Sequence, residues 1–144
     1  MVMKNLLNFF LFGKSTGEGT ASLGLLILRV AAGVLMMTHG WSKIQNFEGM
    51  VQSGFDPVGM GATLSVVMLI GAEFIAALFI VLGLLTRLSA VPLIVAMSVA
   101  AFVAHASDPL QVKELSLIYL TIFASLMITG AGKYSLDSIL FRNK

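Results

Sequence analysis

An all-α integral membrane protein, a bundle of four spanning helices preceded by a short interfacial segment, is the fold class this sequence predicts. Two observations carry the prediction. Of the 144 residues, 58% are hydrophobic and only 11% are charged, and the apolar residues fall into four long runs. A soluble domain of this size could not keep such a composition off its surface. A spanning helix takes roughly 20 mostly apolar residues, so the chain has room for about four spans with short connections and no separate soluble domain. The lipid bilayer is its first partner.

Residues 1–20 open the chain with Val2, Leu6, Leu7, Phe9 and Phe10 around Lys4 and Asn8, a run too short to span and suited to the membrane interface. Gly13-Lys14-Ser15-Thr16 lacks the small-residue cleavage box of a signal peptide. Nor does it form a phosphate loop, because Asn8 stands where the first glycine is required. Residues 21–144 form the four-helix domain. The first helix covers about 21–44 and is interrupted only by Arg29. Glu48, Asp56 and Pro57 among several glycines make a polar connection, and the second helix follows over about 61–85 with one charge, Glu73. Thr86-Arg87 reads as a tight turn. The third helix, about 88–105, carries Pro92 in its early turns, where a missing amide costs little. Asp108-Pro109 breaks the chain, and a fourth helix over about 112–131 ends at Gly130 and Gly132.

Lys4, Lys14, Arg87, Lys133, Arg142 and Lys144 fall on the side that holds both termini, against Lys43 and Lys113 on the other. The bias predicts both termini in the cytoplasm. Glu48, Asp56, Asp108 and Glu114 gather on the outer side with His39 and His105, so a site is expected to open outward. The nine basic residues form no stripe that could meet phosphates, which excludes a nucleic-acid partner. The absence of cysteine removes disulfides, thiolate nucleophiles and thiol redox pairs.

Measured from the ends of their own helices, Arg29 and Glu73 lie at depths of roughly 12 and 18 Å at 1.5 Å per residue. Ionisable groups at such depth face the bundle interior and find partners. An Arg29–Glu73 ion pair is therefore expected, either as a clamp between two helices or as the polar floor of a ligand or proton site. Arg29, Gly33, Met36, Gly40 and Lys43 share one face of the first helix, with His39 to one side. The glycines there admit a second backbone or a flat ligand. Glu114, Ile118, Thr121, Ser125 and Thr129 line one face of the fourth helix, with hydroxyls suited to bonding between helices. Ala96, Ala100 and Ala104 form a small-residue ridge fit for packing within the bundle or in a homo-oligomer. His39 and His105 end helices on the same outer side, a placement that would let them face each other across a haem or metal. Histidines at a membrane interface, however, are commonly satisfied by water, head groups or a carboxylate, and two ligands do not close a metal site, so haem is not expected. No metal is expected, and the dispersed methionines are filler.

Leu28-Arg29-Val30 with Gly33, Thr38-His39-Gly40-Trp41-Ser42-Lys43, Glu73, Leu82-Gly83-Leu84-Leu85-Thr86-Arg87 and Gly130-Ala131-Gly132-Lys133-Tyr134-Ser135-Leu136-Asp137 together resemble the DoxX family of small bacterial and archaeal membrane proteins. The resemblance covers about residues 25–140. It implies a four-helix protein of the cytoplasmic (inner) membrane, often linked to respiratory or oxidative-stress systems and to soluble redox partner proteins, with one branch similar to a quinone-reducing subunit. It maps the shared polar positions Arg29, His39, Lys43, Glu73, Arg87 and Asp137 without assigning catalysis to any of them. The leading expectation is a membrane component of a redox system, a quinone-linked oxidoreductase subunit in which Arg29, His39, Lys43 and Glu73 bind a quinone or similar lipid-soluble ligand. The alternative is a non-enzymatic scaffold, assembly factor or small transporter.

Overall fold

The computed structural model describes residues 19–141. The interfacial segment expected over residues 1–20 lies, but for its last two residues, outside the described residues. Helix α1 runs over Gly19–Gln45, α2 over Phe47–Gln52, α3 over Ala62–Leu82, α4 over Thr86–Ala104, α5 over Leu110–Thr129 and α6 over Leu136–Leu140. Four of them, α1, α3, α4 and α5, are long and apolar enough to cross a bilayer, and no strand occurs among the described residues. The chain is an all-α, multi-pass membrane protein.

The turn between α3 and α4 departs from the local reading. α3 stops at Leu82 because Gly83 is left-handed (φ +65°), and a Cβ there would stand 2.6 Å from the Ser135 Cβ and 2.7 Å from Arg29 Nη1. Leu85 is also left-handed (φ 46°). α4 then starts at Thr86 because the Asp137 carboxylate accepts the Leu85 amide at 2.6 Å and the Thr86 amide at 2.9 Å. A helix start normally satisfies its free amides with a nearby side chain. Here the cap comes from about fifty residues away, so the local sequence gives no sign of it.

α1 packs antiparallel on α3, and two glycines set how closely. A Cβ on Gly33 would stand 2.6 Å from Val81 Cγ2, and one on Gly40 would stand 2.8 Å from the Glu73 carbonyl carbon and the Phe74 amide. α4 packs along α5, and the pairs meet where the middle of α3 lies on α4. The core there holds Met36, Ala77, Ile80, Leu93, Phe123 and Leu126.

Gly33 of α1 lies beside Val81, one residue from the end of α3, so the first part of α1 extends past its neighbour. The segment after α5 covers this overhang. Gly132 leaves no slack against Ser22 and Leu25, and the Lys133 amide bonds Ser22 Oγ at 3.1 Å. Arg29 sits at this junction. Its Nη1 donates to the carbonyls of Ile80 (3.1 Å) and Val81 (2.5 Å), and its Nη2 donates to the Tyr134 carbonyl. Arg87 of α4 donates to the Ile128 carbonyl near the end of α5 at 3.3 Å. Two guanidinium groups thus meet the C-terminal carbonyls of neighbouring helices, where a positive charge is favoured. The Asp137 carboxylate, which attracts both arginines, sits at a helix N-terminus, where a negative charge is favoured.

At the opposite end the pairs part. The first turns of α3, Ala62–Ile70, lean on α1 and α2, while the last turns of α4 stay with α5. A loop roofs the gap, and Asp56 organises it by accepting Ser65 Oγ at 2.6 Å and the amides of Met60 and Gly61 at 2.9 and 2.8 Å. Those bonds, the Ser65 hydroxyl first, hold the Asp56 carboxyl below its ordinary value. A group with a depressed folded pKa gives its stabilisation above the unfolded value and loses it as pH falls through the folded one. The loop therefore keeps this anchor until the pH drops below the usual carboxylate range.

Asp137→Ala removes both caps of α4 together with the counter-charge of two arginines, and it is expected to cost about 2–4 kcal/mol. The loss should appear as a lowered unfolding temperature in detergent, with Asp137→Asn, which can still accept one bond, recovering part of it. An unchanged unfolding temperature in Asp137→Ala would show that this end is held by other contacts.

Candidate ligand site in the cleft

The parted ends of the helices enclose a cavity of about 600 Å³, within the range that takes a drug-sized ligand. Its walls are mostly apolar, and four of its polar residues gather in one part of it. Glu73 and Lys43 form an ion pair at 2.5 Å, with side-chain exposures of 5% and 24%. His39 from α1 and Tyr119 from α5 stand beside them, ring edge to ring face with centroids 6.1 Å apart. Tyr119 is stacked in turn on Phe123 at 5.9 Å, which fixes the phenol's direction. Among the described residues, neither the His39 ring nitrogens nor the Tyr119 hydroxyl has a hydrogen-bond partner. Donors that line a cavity without a protein partner are free to meet a ligand.

The backbone of α3 places Glu73. Gly71–Ala76 winds as a π-helix, a widened turn that carries an extra residue and recurs at functional sites. Ala72, Glu73 and Ala76 within it, and Ala77 just after it, are buried. Gly40 then brings α1 against the Glu73–Phe74 peptide. Lys43, three residues further on the same face of α1, lies over the carboxylate. A second π segment, Ala100–Ala104, ends α4.

The expected Arg29–Glu73 pair is not formed. Glu73 belongs to Lys43, and Arg29 belongs to the carbonyls of Ile80, Val81 and Tyr134. Equal depths along the two helices would bring the pair together only if both helices ended at one level. In the structure Glu73 is level with Gly40, eleven residues or about 16 Å along α1 from Arg29. Three of the four expected ligand residues, His39, Lys43 and Glu73, therefore meet in the cavity, and Arg29 does not.

The structure also places the other residues that the sequence singles out. Ala96, Ala100 and Ala104 line the cavity, and Ala96 also packs against the core of the bundle. Thr121, Ser125 and Thr129 each donate to the carbonyl four residues back, which satisfies the hydroxyls within α5 instead of between helices. His105 also lines the cavity, but its Nδ1 is taken by Asp108 at 2.7 Å at the rim. No group of three or more potential metal-ligating side chains occurs among the described residues. Tyr119 is the site residue the sequence reading missed. Its signal was the apolar stripe Val112, Leu115, Tyr119, Phe123 and Leu126 at helical spacing, which marks the inward face of α5.

The DoxX family model matches residues 24–106 of the chain. This protein belongs to the DoxX family. The match spans α1 to the end of α4, so it carries His39, Lys43, Glu73 and Arg29, while Tyr119 and Asp137 lie beyond it. The DoxX chain is 35% identical over 123 residues to "Inner membrane protein YqjF" of Escherichia coli, covering 82% of this chain and 92% of that one. It is 28% identical over 123 residues to "Putative oxidoreductase CatD" of Bacillus subtilis, covering 85% and 90%. No solved structure matches the DoxX chain significantly.

A double-mutant cycle separates the two pairings. Lys43→Met and Glu73→Gln should be non-additive in detergent stability by about 1–3 kcal/mol, because each single change strands the other group in the cavity. Arg29→Met and Glu73→Gln should add independently. Coupling between Arg29 and Glu73 would show that the register of α1 on α3 is wrong.

Proposed function

We propose that this chain is the membrane-embedded, ligand-holding component of a redox system, and that its ligand is a quinone or a similar lipid-soluble ring. The carrying observation is the convergence of His39, Tyr119 and the Lys43–Glu73 pair in a mostly apolar cavity. A quinone ring offers carbonyl oxygens to hydrogen-bond donors and an apolar body to the walls, and when bound it supplies two-electron, two-proton chemistry. His39 and Tyr119 are positioned to donate to a ring oxygen. Lys43 and Glu73 hold a proton acceptor and donor in contact with each other beside it. The oxidoreductase designation of the CatD relative supports this class, and a soluble redox partner completes the reading. A scaffold or assembly factor would need no free polar side chains lining a cavity, so those alternatives are the weaker readings, whereas a small transporter would need them.

Titrating a short-tailed benzoquinone into the detergent-purified protein should quench Trp41, the single tryptophan, which stands 6.1 Å from Phe74 beside Glu73. Saturable quenching is expected. His39→Ala and Tyr119→Phe should each weaken it by about tenfold, the value of roughly one hydrogen bond. Linear quenching, identical in wild type and variants, would remove the quinone reading.

The orientation belongs to the same proposal. Basic residues outnumber their counterparts six to two on the side of the termini, so we place that side in the cytoplasm, with the cavity mouth on the far face of the inner membrane. The chain has no cysteine, so single-cysteine labelling is clean. Ser53→Cys should react with an impermeant maleimide on intact cells and Ile139→Cys only after lysis. The reverse pattern would invert the topology.

A further inference from the structure

We propose that the gap between α3 and α4 is the subsite for an apolar tail on the ligand, and that the ligand loads sideways from the bilayer. This rests on the quinone reading above and goes beyond it by naming a tailed, membrane-dissolved ligand and its route. The cavity does not end at its polar cluster. It continues along Met68, Leu69 and Ala72 of α3 and Val91, Val95 and Val99 of α4, an apolar trough with no polar group to orient a ring. Met68 and Val95 line this trough, yet each keeps more than half of its surface exposed (55% and 56%). Residues that both line a cavity and face outward mark the edge of an opening.

The level of the opening fixes what lies outside it. Val95 stands about midway along α4, so its exposed side faces hydrocarbon, not water. The other opening lies under the loop and beside α5, where Val58, Met60, Val112 and Leu115 line the cavity at 45–50% exposed, and it is partly covered. Phe55, Pro57, Val58 and Met60 of the loop roof the mouth, and the His39–Tyr119 contact joins α1 to α5 on the far side. Small side chains at Ala72, Ala96 and Ala100 keep the trough wide. A ring held at His39 and Tyr119 would leave this length of apolar wall uncovered, and a chain attached to the ring would cover it and run out between Met68 and Val95 into the bilayer. Lipid tails are as apolar as the trough, so a tail crosses that edge without a transfer penalty, and the ring need never leave the membrane.

The test compares a long-tailed isoprenoid benzoquinone with its short-tailed analogue on the full-length protein in lipid nanodiscs. Val95→Trp narrows the edge without touching the polar cluster, and Met68→Trp does so from the other side. Each should weaken the long-tailed ligand by about tenfold and the short-tailed one by less than about twofold. A diazirine at the end of the long tail should cross-link to α3 or α4 within 68–99 in the wild type, a readout that does not depend on how the variants fold. Equal effects on both ligands, or cross-links confined to other helices, would overturn the tail subsite while leaving the quinone reading intact. Absence of saturable binding by either ligand would remove the quinone reading and this inference with it. Labelling of the trough by a diazirine phospholipid that the long-tailed quinone does not displace would assign the trough to a structural lipid and also overturn it.

Discussion

The architecture depends on one constraint, the need of helix ends near hydrocarbon to find partners for their free backbone groups within the protein. At one end of the bundle three charged side chains meet it. Arg29 takes the last carbonyls of α3 and one from the segment before α6. Arg87 takes a carbonyl at the end of α5. Asp137 takes the first amides of α4. Each sign matches the dipole end it meets. Every spanning helix is thereby tied to another or to the C-terminal segment. A bundle fastened so firmly at one end can part at the other without coming undone, and the cavity occupies that parted end.

The same fastening fixes the register in which the site forms. Arg29 sets α1 against the end of α3, Gly33 and Gly40 hold the two helices at backbone contact, and Lys43 arrives over Glu73. Glu73 lies buried within the π-helical turn Gly71–Ala76 at that level. A side chain on Gly40 would force the Glu73–Phe74 peptide away and loosen the ion pair. Glycines that read as plain packing in the sequence therefore also position the site.

The four spans and their approximate limits were legible because a bilayer imposes a length and a polarity that any sequence must show. His39, Lys43 and Glu73 were legible for the same reason, since ionisable groups in apolar runs stand out. What escaped the sequence was relative height. Arg29 and Glu73 matched in depth along their own helices, but nothing local reveals that α1 extends past α3. The π-helix was equally hidden, because Gly-Ala-Glu-Phe-Ile-Ala is compatible with an ordinary α-helix. Tyr119 escaped because the hydroxyl residues of α5 drew the reading to its opposite face, where Thr121, Ser125 and Thr129 satisfy themselves.

Moving Arg29 out of the site changes what the site suits. A cavity holding Arg29, Lys43 and Glu73 would carry a surplus positive charge and select an anion. With Arg29 held at the other end, Lys43 and Glu73 offset each other at 2.5 Å. The walls around them are apolar, and the free groups, the His39 ring and the Tyr119 phenol, are donors that need no charge to act. Charge balance of this kind disfavours an ionic ligand, which would have to leave water and find no net counter-charge. The ring proposed above is uncharged and already dissolved in the bilayer, so its desolvation is slight and two or three hydrogen bonds would be enough to set its orientation. The clasp and the site are in this sense one design, because the arginine that secures the helices is also the charge whose removal leaves the cavity neutral.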